Sequence, residues 1–265
     1  MTLHVVRPLR AALVAGLLVA GLSACGSDDS SASGDALSTV NPVFENALTV
    51  CTDMPYEPFE YKGASGAPEG FDMDIAAKVA EKLDLQFDVV AVPFDDIASG
   101  KVLNEDRCDL AISAMTITGE RSRVLDLSSP YFNSQQALIA AKGTAVGSFA
   151  DLQGSKVGVQ SSTTGLTLLQ DNGNGIDIKP FGQADEMLAA LKSGQVDAVL
   201  MDDVAAAPAV EDLPGFDVVK MFDTGEQYGI AVKKDGNIPL LRSINNTLTE
   251  LRENGDYDTI YNKYF

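Results

Sequence analysis

Histidine is nearly missing. The sole one among 265 residues is His4, and it lies in an N-terminal stretch that reads as a processed segment. The mature chain therefore has no histidine, which excludes every triad or zinc site that depends on one. Basic side chains are scarce as well: 19 Lys+Arg stand against 38 Asp+Glu, and no basic patch appears along the chain. Such a surface repels phosphate backbones, so nucleic acid is excluded as a partner. The acidity otherwise reads as solubility and a charged exterior. Cysteine occurs three times, at Cys25, Cys51 and Cys108, in spacings that match no metal motif. No metal and no cofactor is expected. The longest apolar run near the N-terminus, AALVAGLLVAGL from Ala11 to Leu22, is short for a membrane span.

That run follows Arg7 and Arg10 and leads into Leu22-Ser23-Ala24-Cys25, an order of regions that reads as an export signal over residues 1–24. Its end resembles a bacterial lipobox, in which Cys25 is lipidated and becomes the first mature residue. An ordinary signal peptide with a chance cysteine is the competing reading. With Gly26 next, nothing argues for retention on an inner membrane, and the lipid would hold the protein on the outer face of the cytoplasmic membrane. Residues 25–41 then read as a flexible tether, because GSDDSSASGDALS, Gly26 to Ser38, has no apolar period and buries too little surface to offset ordering entropy. Without the two arginines of the signal, 17 Lys+Arg face 38 Asp+Glu, a formal balance of about −21. About 225 residues remain for the globular part, enough for one large domain or two small lobes.

Strands alternate with helices through this part. ALTVCT (Ala47 to Thr52) is a short apolar run suited to a buried parallel strand. FDMDIAAKVAEKL has helical spacing at Phe71, Ile75, Val79, Ala80 and Leu83, with Asp72 and Asp74 in the first turn where the macrodipole favours anions. QFDVVAV then reads as a strand, DDIASGKVLN as a helix and CDLAISAM as a third strand. A second unit repeats the pattern with KVGVQ, SSTTGLTLLQ, DEMLAALKSGQ and VDAVLMDD. GEQYGIAVKK reads as a late strand, followed by two amphipathic helices, and VAAAPAVEDLPG as a short helix running into a loop. Such alternation implies parallel sheets, on which ligands sit outside the C-terminal ends of the strands. Asp53 to Tyr56, Phe94 to Asp96, Ala114 to Arg121, Ser161 to Gly165 and the pair Asp202–Asp203 all fall at such ends. Cys51, late in one strand, and Cys108, at the start of another, are expected to lie beyond disulfide reach and to remain two buried or semi-buried thiols.

Arg121 is the first candidate for chemistry. Its rigid fork matches a carboxylate, and near a desolvated cleft such a pair gives both orientation and affinity; a surface ion pair with Glu120 is the plainer alternative. Thr116 and Thr118 are either ordinary strand threonines or, for Thr116, a second hydroxyl for the same carboxylate. Tyr56 and Phe94 are either cleft residues or plain core aromatics. Asp203 reads as a solvated neighbour of Asp202 or a helix cap.

Taken in order, TDMPYEPFEYKG, GFDMDIAAKVAEKL, MTITGERSRVLDLSSPYF, DLQGSKVGVQSSTTG, LKSGQVDAVLMDD, YGIAVKK and LRENGDYDTIYNKYF resemble the polar amino-acid-binding proteins of bacterial ABC importers (extracellular solute-binding proteins, family 3), over residues 47–265. The resemblance implies an α/β, two-lobed periplasmic-binding-protein fold of type II, with two parallel-core sheets joined by a two-strand hinge. Lobe 1 would be residues 42–130 and 229–265, lobe 2 residues 136–223, and the crossings 131–135 and 224–228. It also implies a monomer that closes over a free amino acid and hands it to an ABC permease and its ATPase.

Carried over by position, Arg121 clamps the ligand α-carboxylate with Thr116 and with a hydroxyl or backbone N–H at Thr163 or Thr164, which open a helix. Asp202 and the Ala114 carbonyl take the α-ammonium; Asp53, Tyr56 and Phe94 line the side-chain pocket. Two positions depart from relatives: Met201 stands where some carry a polar or histidine side chain, and Gln160 where some carry lysine. Without that lysine an anionic ligand side chain loses a counter-charge, while Asp53 suits a cation or an amide. A polar or basic L-amino acid is the expected ligand. Two alternatives remain open at this stage: a ligand-sensing domain that signals through a separate membrane protein, and a dehydratase-like enzyme on the same fold. The enzyme would need a positioned acid or base, for which the mature chain offers carboxylates but no histidine.

Overall fold

The structure is a computed structural model and describes residues 40–265. The expected signal, Cys25 and all but the last two residues of the tether lie outside the described residues.

The first run begins with strand β1 (Ala47–Thr52), buried along its whole length as its apolar sequence demands. A small hairpin, β2 (Tyr61–Lys62) and β3 (Pro68–Glu69), leads into helix α1 (Phe71–Lys82). Phe71, Ile75, Ala76, Val79 and Ala80 make its buried stripe, the i, i+4 spacing that a helix against a sheet requires. Strand β4 (Gln86–Ala91) follows, then α2 (Phe94–Ala98), α3 (Lys101–Asn104), β5 (Leu110–Ala111) and β6 (Leu125–Leu127). The single helix expected over DDIASGKVLN is two, because Gly100 adopts a left-handed φ of 76° between them. The third strand is also shorter than CDLAISAM suggests: it ends before Ala114, whose φ of 42° turns the chain.

The second run is β7 (Phe132–Ala141), β8 (Lys156–Gln160), α4 (Thr164–Asn172), β9 (Asp177–Phe181), α5 (Ala184–Lys192), β10 (Ala198–Asp202), α6 (Asp203–Glu211) and the long β11 (Phe216–Tyr228). The chain then returns through β12 (Ala231–Lys233), α7 (Ile238–Asn254) and α8 (Asp256–Tyr264). GEQYGIAVKK is therefore not one strand. It breaks at Gly229–Ile230, its first part pairing with β7 and its second with β5 and β6.

Two five-stranded sheets result, in the orders β4-β1-β5-β12-β6 and β11-β7-β10-β8-β9. In the first, β1 runs parallel to β4 and β5, and β12 runs antiparallel to β5 and β6. In the second, β8 runs parallel to β9 and β10, and β7 runs antiparallel to β10 and β11. Each sheet has apolar clusters on both faces, as parallel strands must. For the first sheet these are the Leu48–Val79–Leu248 and Cys51–Ile97–Leu103 groups, and for the second the Ile139–Met187–Val199 and Leu138–Val159–Leu200 groups. Two strands cross between the sheets: β7 begins and β11 ends side by side, with Phe132 opposite Tyr228 and Ser134 opposite Glu226, and the register shifts between Phe222 and Glu226. This is the type II arrangement of the two-lobed periplasmic binding proteins.

One expectation is overturned. Cys51 and Cys108 form a disulfide, with Cα atoms 5.8 Å apart, inside the range that a bridge spans. The expectation assumed that Cys108 continues the straight line of its strand, which would set it about 10 Å along the sheet from Cys51. Pairing in fact starts at Leu110, opposite Val50. Cys108 lies in the turn that enters the strand and is free to lean over the face where Cys51, Ile97, Val102 and Leu103 pack.

Candidate functional site

The parallel strands of both sheets point their C-terminal ends at one cleft. From the first sheet come Asp53 and Tyr56 after β1, Glu60 beyond them, Phe94 at the start of α2, Ser113, Ala114 and Thr116 after β5, and Arg121. From the second come Gln160 at the end of β8, Thr163 and Thr164 at the start of α4, and Asp202 at the end of β10. Together they line a hollow of about 350 Å³ of empty space, mouth included.

Arg121 is only 6% exposed. Its backbone N–H donates to Thr118 Oγ1 (3.1 Å), which fixes the turn, while Nη1 donates to the Thr116 carbonyl (2.7 Å) and Nη2 to the Ser162 carbonyl (3.0 Å). The guanidinium lies over the Phe94 ring, 5.1 Å from its centroid, a favourable cation–π distance. Burial lowers its pKa to about 10, against the opposing charges of Asp202 and Glu226. The surface ion pair with Glu120 is not formed: Glu120 is exposed, and among the described residues Arg121 makes no salt bridge. It is a buried cation with donors left over.

Asp202 faces it from the second sheet. Tyr56 Oη donates to Oδ2 (3.0 Å) and Gln136 Nε2 to Oδ1 (2.5 Å). Burial, and then the charge of Glu226, raise its pKa to about 7 in spite of those donors. Asp53 accepts from Gln160 Nε2 (2.7 Å). Its pKa is raised by burial, which outweighs hydrogen bonds from Gln183, Gln160 and the Phe94 backbone. The Tyr56–Asp202, Gln160–Asp53 and Arg121–Ser162 hydrogen bonds each join one half of the molecule to the other.

The cleft hydroxyls each have a partner within the protein. Thr163 Oγ1 is used for capping α4: it accepts the Leu166 N–H (3.2 Å) and donates to the Gln160 carbonyl (2.7 Å). Thr164, the first residue of that helix, instead donates its hydroxyl to Glu226 Oε2 (2.8 Å), as does Thr116 (2.7 Å). Met201 is not among the cleft residues. The strand's two-residue alternation turns it away from its neighbour Asp202 and into the apolar cluster with Met187, Val199 and Ala205. Asp203 is half-buried and is not the cap; it opens α6 and accepts from Ser134 Oγ (2.9 Å) and the Gln135 N–H (3.2 Å), tying that helix to the crossing strand.

Four polar residues at or beside the cleft were not singled out from the sequence: Glu60, Ser113, Gln136 and Glu226. Glu60 and Asp72 are both fully buried. Glu60 Oε1 accepts from Ser113 Oγ (2.5 Å), and Asp72 Oδ2 accepts the Ala114 N–H (2.8 Å) and Tyr131 Oη (2.8 Å). Burial and the charge of Asp72 push Glu60 well above the usual carboxylate range, and burial raises Asp72 to about 7. The protonated form of Glu60 is thereby favoured beside Asp72, whose carboxylate oxygen in turn pins the left-handed backbone of Ala114. An acidic residue in so acidic a chain carries no distinguishing signal; only their position inside apolar motifs, FEYKG and GFDMD, marks them out. Among the described residues no cluster of three or more His, Cys, Asp or Glu could hold a metal ion, and no helix is long and apolar enough to cross a membrane.

Two facing sheets, a cleft at their strand ends and two crossing strands define a two-lobed solute-binding protein. Residues 48–265 match the bacterial extracellular solute-binding proteins, family 3, and the chain belongs to that family. It is 34% identical over 251 residues to a probable histidine-binding protein of Neisseria gonorrhoeae, covering 92% of this chain and 90% of that one. It is 32% identical to a glutamine-binding protein of an ABC transporter from Bacillus subtilis, covering 96% and 95%. Among solved structures, an ancestral arginine-binding protein bound to glutamine superposes with a TM-score of 0.79 at 39% identity, covering 84% of this chain and 99% of that one. The family is one of solute binding, and these relatives are named as binding proteins rather than enzymes, so the dehydratase alternative falls.

Proposed function

We propose that this chain captures a free polar or basic L-amino acid by hinge closure and delivers it to an ABC permease. The observation that carries this is Arg121: a buried guanidinium that has no carboxylate partner among the described residues, across a cleft from Asp202, whose two oxygens already face donors. Buried charges are stable when paired, and a zwitterion supplies both partners at once. Its carboxylate goes to Arg121 with Thr116 and Thr164, and its ammonium to Asp202 and the Ala114 carbonyl. Asp53, Tyr56, Phe94 and Gln160 then surround the side chain. Relatives named for histidine, glutamine and arginine support that ligand class.

Lobe 1 is residues 42–130 and 229–265, lobe 2 residues 136–223, and the chain hinges at 131–135 and 224–228, where β7 and β11 pair across the gap. A ligand that touches both lobes only when they meet shifts the open–closed equilibrium by its differential affinity. Cys25 carries the lipid that tethers the protein outside the cytoplasmic membrane, and the protein works as a monomer. A thermal-shift panel of the twenty free amino acids tests the reading. A true ligand at a hundred times its dissociation constant adds about 2.7 kcal/mol, a rise in melting temperature of roughly 5–10 °C for a chain of this size. No shift with any of the twenty would contradict it.

A further inference from the structure

Glu226 sits at the end of the crossing strand β11 and is 8% exposed. Its Oε2 accepts from two hydroxyls, Thr116 Oγ1 (2.7 Å) on the first half of the molecule and Thr164 Oγ1 (2.8 Å) on the second. Its Oε1 accepts from Gln136 Nε2 (3.1 Å) and Thr224 Oγ1 (3.0 Å). Four donors around one carboxylate make a complete anion site, yet Glu226 forms no salt bridge with Arg121 among the described residues. Thr116 and Thr164 are the hydroxyls that the ligand carboxylate requires beside Arg121. A side-chain carboxylate of the protein already holds them.

We propose that Glu226 is a built-in competitor: its carboxylate occupies the Thr116 and Thr164 hydroxyls, and a ligand binds by exchanging its own carboxylate for that one. This rests on the reading that Arg121, Thr116 and Thr164 form the carboxylate subsite. Two consequences follow from elementary electrostatics. The ligand carboxylate enters against a like charge in a desolvated cleft, so affinity is lower than the donors alone would allow. The penalty falls on the carboxylate and not on the side chain, so Glu226 tunes affinity without selecting among amino acids. Glutamine at the same position would remove the charge and keep the shape. With its carbonyl toward Gln136 and Thr224, its amide N–H would donate to the two threonine hydroxyls and leave their protons for the ligand.

Calorimetry with L-arginine, L-glutamine and L-histidine, each paired with its carboxamide, reads this out on the wild type, Glu226→Gln, Glu226→Ala and Arg121→Met. Glu226→Gln should bind the free amino acid at least tenfold tighter and widen the preference for acid over carboxamide at least tenfold, a ratio that a purely structural role would not move. Glu226→Ala, which also removes the competing carboxylate, should bind the free amino acid at least threefold tighter than the wild type. Unchanged or weaker binding by either variant overturns the proposal, and the second decides if the first fails to fold. Failure of the underlying reading looks different: Arg121→Met then binds as tightly as the wild type, or the wild type binds none of the six compounds.

Discussion

Replacing Arg121 by methionine separates binding from stability in a way that few positions allow. Methionine keeps the contact with Phe94 and removes the charge. The protein loses the hydrogen bonds to the Thr116 and Ser162 carbonyls, each worth about 1.5–3 kcal/mol when the donor is charged. It recovers the desolvation of a buried ion, also several kcal/mol, a cost visible in the lowering of the Arg121 pKa to about 10 by burial. The two nearly cancel, and unfolding free energy should change by less than about 2 kcal/mol. Binding has no such compensation: truncating one partner of a buried charge pair costs about 2–5 kcal/mol, roughly 30- to 5,000-fold in affinity. Denaturant unfolding and calorimetry on the same preparation give both numbers. Wild-type affinity in Arg121→Met, or a large destabilisation that carries the binding loss with it, would refute the reasoning.

Three further perturbations have defined outcomes. Asp202, its pKa raised to about 7, is partly protonated in the free protein near neutral pH and must ionise to take an ammonium, so affinity should rise with pH up to about 7 and level off; calorimetry across pH 5.5–8 checks this, and Asp202→Asn should bind weakly with no such slope. Because its folded value lies above its unfolded one, the same group contributes stability that is present below about pH 4 and is lost as pH rises to about 7, which unfolding of the ligand-free protein measures. Asp53→Ala should alter the ranking of cationic against amide side chains by tenfold or more while leaving some amino-acid binding intact. Replacing both Cys51 and Cys108 by alanine opens a loop of sequence separation 57 and should lower stability by up to about 4 kcal/mol on a chain-entropy argument; a loss below 1 kcal/mol would show that the bridge does little.

The alternation of β and α segments, and the convergence of strand ends on one cleft, were legible because both follow from periodicity and from the parallel rule. Arg121, Thr116, Asp202 and Asp53 could be placed at the cleft for the same reason: they are polar residues where a strand runs out. Other features depend on phase or on chain direction, which a linear pattern does not carry. Met201 was carried into the site by position from the family resemblance, and strand alternation turns it into the apolar cluster behind the sheet. The disulfide was missed because the turn before β5 bends Cys108 toward Cys51. Glu60 and Glu226 were missed for a third reason. Their significance lies in burial and in what donates to them, and among 38 acidic residues little beyond the flanking aromatic residues of Glu60 distinguishes a buried carboxylate from a solvated one.

Recognition of a zwitterion is best tested by blocking each of its ends in turn. Calorimetry on the wild type should compare L-arginine, L-glutamine and L-histidine with their carboxamides, which remove the charge facing Arg121, and with their N-acetyl forms, which remove the charge facing Asp202. At least one free amino acid should bind, and each of its blocked forms should bind at least thirtyfold more weakly. A blocked form that binds as tightly as the free amino acid would contradict the clamp.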